Sequence, residues 1–193
     1  NPQGASMSLE RRHRLATLLR EHEIGMLEDN PYGELRYSGE ALPNLFELTA
    51  RTALDGRLES PVIYSGTFSK VLAPGMRVGW LVADEAVIDK VVMLKQSADL
   101  HTSTLNQYIT LALVRDGVIE RQLPLLRAAY RERRDAMLAA LDRHFPDGVS
   151  WTRPDGGLFL MVTLPAHLDA SDVLKEALKE RVAFVPGEDF HLQ

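Results

Sequence analysis

The chain has 193 residues, 45% of them hydrophobic and 25% charged, with a formal net charge of −5. That balance allows a sizeable core, one and a half domains more readily than two complete ones, and argues against a general nucleic-acid surface. The absence of cysteine excludes disulfides and thiolate zinc sites, and no apolar run is long enough to span a bilayer.

The spacing of Leu9, Leu15, Leu18 and Leu19 predicts a helix from residue 8 to about 23, with Ser8 as N-cap and Gly25 as the stop. Ile24-Gly25-Met26-Leu27 follows as a buried strand leading into Glu28-Asp29-Asn30-Pro31-Tyr32. Asp29 is expected at the carboxyl end of a parallel strand, where open α/β sheets place ligand groups. A buried carboxylate there can keep a pyridine nitrogen protonated. At an effective dielectric near 20 and about 4 Å such a pair gains on the order of 4 kcal/mol. The phenol of Tyr32 is available to a ring oxygen. Asp-Asn-Pro also opens ordinary turns, so this pair acquires weight only from what comes next.

Val62-Ile63-Tyr64 and Val78-Gly79-Trp80-Leu81-Val82 read as two buried strands around Ser65-Gly66-Thr67-Phe68-Ser69-Lys70 and Leu72-Ala73-Pro74-Gly75-Met76-Arg77. Gly66 and Gly75 are expected to supply unusual backbone angles, and Pro74 to stiffen the turn. The loop combines an amine nucleophile, two hydroxyls and a guanidinium. An imine needs the amine and a carbonyl, while a phosphate handle needs hydroxyls and an arginine, so the loop points to a phosphorylated carbonyl cofactor. Thr67 and Arg77 are expected to turn onto one phosphate, because the guanidinium fork donates two parallel hydrogen bonds. A cation this close disfavours the ammonium form of Lys70 and so favours the attacking amine.

Downstream, apolar spacing predicts helices over residues 85 to 98, 103 to 114 and 118 to 145, the last with a possible kink at Pro124. Pro146-Asp147-Gly148 ends the long helix. Strands are expected at 149–151, 158–163 and 182–185, with a helix over 171–180 capped by Ser171 or Asp169. Trp80 and Trp151 read as core. The basic runs at 11–14 and 127–134 read as solvated helix faces, and the six histidines have no metal-like spacing, so no metal site is assigned. His101 reads as structural or exposed.

Several of these motifs resemble those of one family, the fold type I, class I/II pyridoxal-phosphate-dependent aminotransferases, and especially its aminoadipate and kynurenine branch. Asn1-Pro2-Gln3-Gly4 is similar to its Asn-Pro-x-Gly motif and Asp29-Asn30-Pro31-Tyr32 to its Asp-x-x-Tyr element. Residues 65–79 resemble the cofactor-lysine signature, and Pro154-Asp155-Gly156-Gly157-Leu158-Phe159 the start of the small domain. The resemblance implies an α/β fold: the C-terminal part of a three-layer α/β/α large domain over 1–117, a connecting helix over 118–145, and a partial α+β small domain over 146–193. It implies that Lys70 carries the cofactor as a Schiff base and shuttles protons. Asp29 pairs with the pyridine nitrogen, Asn1 and Tyr32 hold the phenolic oxygen, and Thr67, Ser69 and Arg77 bind phosphate.

The substrates implied are an amino acid and a 2-oxo acid, in a cytoplasmic homodimer with no membrane or nucleic-acid contact through this chain. Residue 1 already lies inside a motif, and the family's phosphate loop, ring-stacking aromatic and substrate-carboxylate arginine have no match here. The chain therefore reads as a fragment, inactive in transamination by itself. Two further readings stay open: the aminotransferase-like effector domain of a MocR/GntR-type transcriptional regulator, and a relative that performs decarboxylation or C–S cleavage on the same scaffold.

Overall fold

The computed structural model describes residues 2–190. Helix α1 (Leu9–Glu21) begins where predicted, because the Ser8 hydroxyl accepts a hydrogen bond from Arg11 N at 3.3 Å. It stops earlier than Gly25. Glu23 itself takes the left-handed conformation (φ 51°), and Ile24 N bonds back to Leu19 O at 3.0 Å. That reversal satisfies the last carbonyls before the glycine is reached. The strand consequently shifts by two residues, to β1 (Met26–Asp29).

Helix α2 (Leu45–Thr49) starts with a reciprocal cap in which Asn44 and Glu47 bond each other's backbone. A two-residue hairpin, β2 (Arg51–Thr52) with β3 (Leu58–Glu59), leads into β4 (Val62–Thr67). Beyond a 3-10 turn at Pro74–Met76, the chain returns as β5 (Gly79–Val82). The main sheet has the order β1-β4-β5. β1 runs parallel to β4, pairing Met26 with Val62 and Asp29 with Ser65, and β5 runs antiparallel, pairing Gly66 with Trp80 and Thr67 with Gly79.

Side chains alternate across this sheet. Val62 faces α1 and α2, where it is buried with Ala16, Leu19 and Leu45 and supported by Met26 and Phe46. Leu27, on the alternate face, is 61% exposed. The chain keeps 13855 Å² accessible, where the scaling law for a folded monomer of 21.6 kDa gives about 9,000 Å². One cluster of buried residues sits in the α1–α2–sheet layer, and Leu35, Tyr37, Val71 and Leu141 are buried outside it.

The predicted helices appear as α3 (Glu85–Ala98), α4 (Thr104–Arg115) and α5 (Val118–His144). Helix α5 continues through Pro124 as one element. The later strands are shorter than expected. β6 (Ser150–Trp151) pairs with β7 (Val162–Thr163), residues 158–161 lie outside the ladder, and residues 182–185 form no strand. Extended segments become strands only when a neighbouring strand pairs with them; Val182 N bonds back to Ala177 O at 2.9 Å, and residues 182–185 join no ladder among the described residues. Helix α6 (Ala170–Lys179) is capped by Asp169, not Ser171.

The two loop glycines also act differently from expectation. Neither Gly66 nor Gly75 has a positive φ; the left-handed residue of the loop is Arg77, at φ 54°. Gly66 is needed for space, since an added Cβ there meets the Trp80 ring at 2.4 Å. Trp80 lies over this glycine and against Phe68, with ring centroids 4.7 Å apart, and remains 39% exposed, so it is a lid on the strand and not core.

Candidate active site

The carboxyl ends of the parallel pair β1 and β4 form the site. Asn30 N donates to Ser65 O at 2.9 Å, which carries the pairing one step beyond Asp29. The Asn30 side-chain amide donates to the Tyr64 hydroxyl at 3.2 Å, and Leu35 N to Tyr32 O at 2.8 Å, so the turn after β1 is closed at both ends. Lys70 lies three residues beyond the end of β4. Its Nζ stands 5.7 Å from the centre of the Tyr32 ring, within cation–π range.

Burial raises the Tyr32 phenol above its ordinary value, and the Asp29 carboxylate reinforces the shift. Burial also raises Tyr64, although the hydrogen bond from Asn30 partly opposes it. Asp29 itself is exposed, contrary to the buried carboxylate expected. It shares the sheet face of Leu27, which helices α1 and α2 do not cover.

Thr67 and Ser69 are brought together. The Thr67 hydroxyl accepts from Ser69 N at 3.1 Å, and it lies 2.9 Å from Ser69 Oγ and 3.3 Å from Val78 O. Arg77 is not joined to them. Its guanidinium donates to Pro74 O at 3.2 Å and its left-handed backbone closes the 3-10 turn. An arginine held at positive φ stores strain of the kind found at ligand-binding turns. Asn1 lies outside the described residues.

A cavity of roughly 670 Å³ opens beside Asp29 and Tyr32, with Tyr64, Arg36, Arg127 and Phe159 also on its walls. Lys70 does not line it. Its polar walls are largely engaged by the chain: Glu28 accepts from Leu45 N and Phe46 N at 3.0 and 3.1 Å, and Arg127 donates to Glu34 O at 2.6 Å. Asp29 and Tyr32 line this cavity, while Lys70 stands outside its lining with its Nζ 5.7 Å from the centre of the Tyr32 ring. Sequence reasoning missed Arg36 and Tyr64. Gly156-Gly157, a pair that permits close backbone approach, is where the chain returns to Arg36, through an isolated antiparallel bridge to Gly156.

Comparison with known proteins bears on this arrangement. A family model for aminotransferases of class I and II matches residues 1–193. The aromatic-amino-acid aminotransferase 1 of Thermococcus litoralis is 46% identical over 190 residues, which are 98% of this chain and 44% of that protein. The HTH-type transcriptional regulator YisV of Bacillus subtilis is 34% identical over 187 residues, covering 97% of this chain and 37% of the regulator. Among solved structures, LysN, the alpha-aminoadipate aminotransferase of Thermus thermophilus complexed with N-(5'-phosphopyridoxyl)-L-leucine, superposes with a TM-score of 0.87 at 43% identity. That match covers 97% of this chain and 46% of LysN. The chain spans less than half the length of each of these relatives.

Proposed function

We propose, from the premise that this chain belongs to the aminotransferase class I and II family, that it supplies the lysine-bearing part of a pyridoxal-phosphate-dependent aminotransferase. Its α/β fold is that of the fold type I aminotransferases. The whole protein then moves an amino group between an amino acid and a 2-oxo acid. The observation that carries this reading is the meeting of Lys70 with Tyr32 beside Asp29 at the ends of two parallel strands. The residues present fit the cofactor, because amine, phenol, carboxylate and a hydroxyl pair are the donors and acceptors its functional groups require.

When bound, pyridoxal phosphate supplies a carbonyl that condenses with amines and a ring that draws electrons from the substrate's α-carbon. Lys70, three residues beyond the end of β4, would remove the α-carbon proton at its Nζ and return it. The Asp29 carboxylate holds a proton on the ring nitrogen. Tyr32 donates its hydroxyl proton to the phenolic oxygen; its raised pKa keeps that proton in place at neutral pH. Asn1 is assigned the same oxygen. The Thr67–Ser69 hydroxyl pair and Arg77 take the phosphate, with Arg77 able to exchange its bond to Pro74 O for a charge-assisted one.

The proposed setting is a cytoplasmic homodimer acting on free amino acids and 2-oxo acids. The proposed division is 1–117, 118–145 and 146–193, with α5 as the connection. A regulator reading has its own support in the 34% identity to YisV. Turnover of an amino acid with a 2-oxo acid separates the two, since a sensor domain binds without releasing product.

The test is borohydride reduction of the whole protein after incubation with pyridoxal phosphate, followed by intact mass and peptide mapping. One adduct on Lys70 is expected, absent in Lys70→Ala. Arg77→Ala is expected to weaken cofactor binding by about tenfold, the loss of one charge-assisted hydrogen bond, while keeping the adduct on Lys70. A reduced adduct formed in the same yield by Lys70→Ala overturns the assignment.

A further inference from the structure

Arg36 lies on the loop that leaves Tyr32, and it is tied to two distant parts of the chain. Its Nη1 donates to Ser6 Oγ at 2.9 Å, and its Nη2 contacts Asp155 Oδ2 at 3.4 Å. Its Nε is buried without a partner among the described residues, a cost that the contacts of the two Nη atoms must offset. The backbone around it makes an isolated antiparallel bridge to Gly156. Gly157 N donates to Leu35 O at 2.9 Å, and Tyr37 N and Ser38 N both donate to Asp155 O, at 2.7 and 3.1 Å. The Tyr37 hydroxyl donates to Gly157 O.

The approach is as close as backbone allows. An added Cβ at Gly156 would stand 2.4 Å from Leu35 O and 2.8 Å from Arg36 Cα, and one at Gly4 would stand 2.7 Å from both Phe159 O and Pro154 Cβ. Phe159 then meets the Tyr32 ring edge to face, with centroids 5.8 Å apart. Helix α5 holds the assembly from outside: Arg134 donates to Pro154 O at 2.9 Å and to Ser38 Oγ at 3.2 Å, and its guanidinium carbon lies 5.5 Å from the centre of the Tyr37 ring.

We propose that Arg36 is a positioning residue, clasping Ser6 and the 154–159 segment onto the Tyr32 loop so that the placement of the phenol opposite Lys70 depends on that distant segment. This rests on the role given to Tyr32 and Lys70 above. Neither Arg36 nor Asp155 touches Lys70, so they act through Tyr32, whose ring is gripped between Phe159 on one contact and the lysine ammonium on the other. The charged groups that face the phenol are Asp29 and Lys70. Asp155 and Arg36 neutralise each other one layer back.

The test compares the whole protein with Arg36→Ala, Arg36→Lys and Asp155→Asn, each checked by circular dichroism. The first readout is the Tyr32 phenol titration in cofactor-free protein, isolated by ultraviolet difference against Tyr32→Phe. The second is the yield of borohydride-trapped adduct on Lys70 at limiting pyridoxal phosphate. Because burial is the main cause of the raised phenol, loosening the clasp in Arg36→Ala or Asp155→Asn should move the titration down toward its ordinary value near 10. The trapped yield should fall by about tenfold, the effect of one lost hydrogen bond to a charged group, and Arg36→Lys should restore part of both.

A Tyr32 titration unchanged in folded Arg36→Ala and Asp155→Asn overturns the proposal. If Arg36→Ala does not fold, Asp155→Asn alone decides, since Asp155 is half exposed at the rim of the clasp. Wild-type protein that traps no adduct, while the variants still shift the titration, refutes the cofactor reading and leaves the clasp standing.

Discussion

Replacing Gly66 by alanine probes the geometry that holds the lysine loop. The new methyl would stand 2.4 Å from Trp80 Cε2 and Cζ2 and 2.8 Å from Nε1, so the indole must retreat by about 1 Å to reach ordinary contact. Trp80 cannot simply rotate away, because it is the cross-strand partner of Gly66 and packs on Phe68. Overpacking of this kind costs about 1–3 kcal/mol, and disturbing the aromatic pair adds roughly 0.5–1.5 kcal/mol. The expected loss is about 3 kcal/mol in urea unfolding followed by far-ultraviolet circular dichroism. The control is Trp80→Ala, which opens the space. In that background Gly66→Ala should cost less than about 1 kcal/mol, a coupling of about 2 kcal/mol for residues in direct contact. Equal costs in the two backgrounds would show that Gly66 is required for its backbone angles after all, and the steric reasoning would fail.

Two other perturbations follow from the same structure. Tyr37 is pushed up to about 12 by burial and by Tyr130, with Arg134 opposing the shift. The folded state therefore binds the phenolic proton more tightly than the unfolded chain, whose value is near 10. That stabilisation is complete below pH 10 and is lost as pH rises toward about 12; Tyr37→Phe should flatten the fall in urea midpoint across this window, and an unaltered slope would refute it. Glu28→Ala removes the acceptor for Leu45 N and Phe46 N at the start of α2. It should cost about 1 kcal/mol, with Glu28→Gln recovering roughly half, and no change in urea midpoint would count against the cap.

What could be seen in the sequence was local. The lysine loop is legible because its amine, hydroxyls, arginine and glycines all fall within residues 65–79, and Ser8 and Asp169 show how helix starts follow from short side-chain acceptors. Asp29 was placed at a strand end by pattern alone, yet its exposure depends on which elements cover that sheet face, and no local pattern contains that. Gly25 and Glu23 illustrate a competition within four residues: the helix closed on the first residue able to complete the reversal, although glycine is the cheaper choice. Residues 182–185 have the composition of a strand and lack a paired neighbour among the described residues. Arg36 was invisible for a different reason, since Tyr37 meets Gly157 across 120 positions of sequence, and long-range hydrogen bonds leave no periodic trace.

The sheet topology has a kinetic consequence. β4 and β5 are joined by residues 68–78 and pair antiparallel, whereas β1 and β4 pair in parallel across residues 30–61. Closing the longer span costs about 1 kcal/mol more in loop entropy, and parallel pairing across a long connection is the slower event. Loop entropy alone therefore favours closing the Lys70-bearing turn over the parallel pairing that carries Asp29 to the same edge of the sheet.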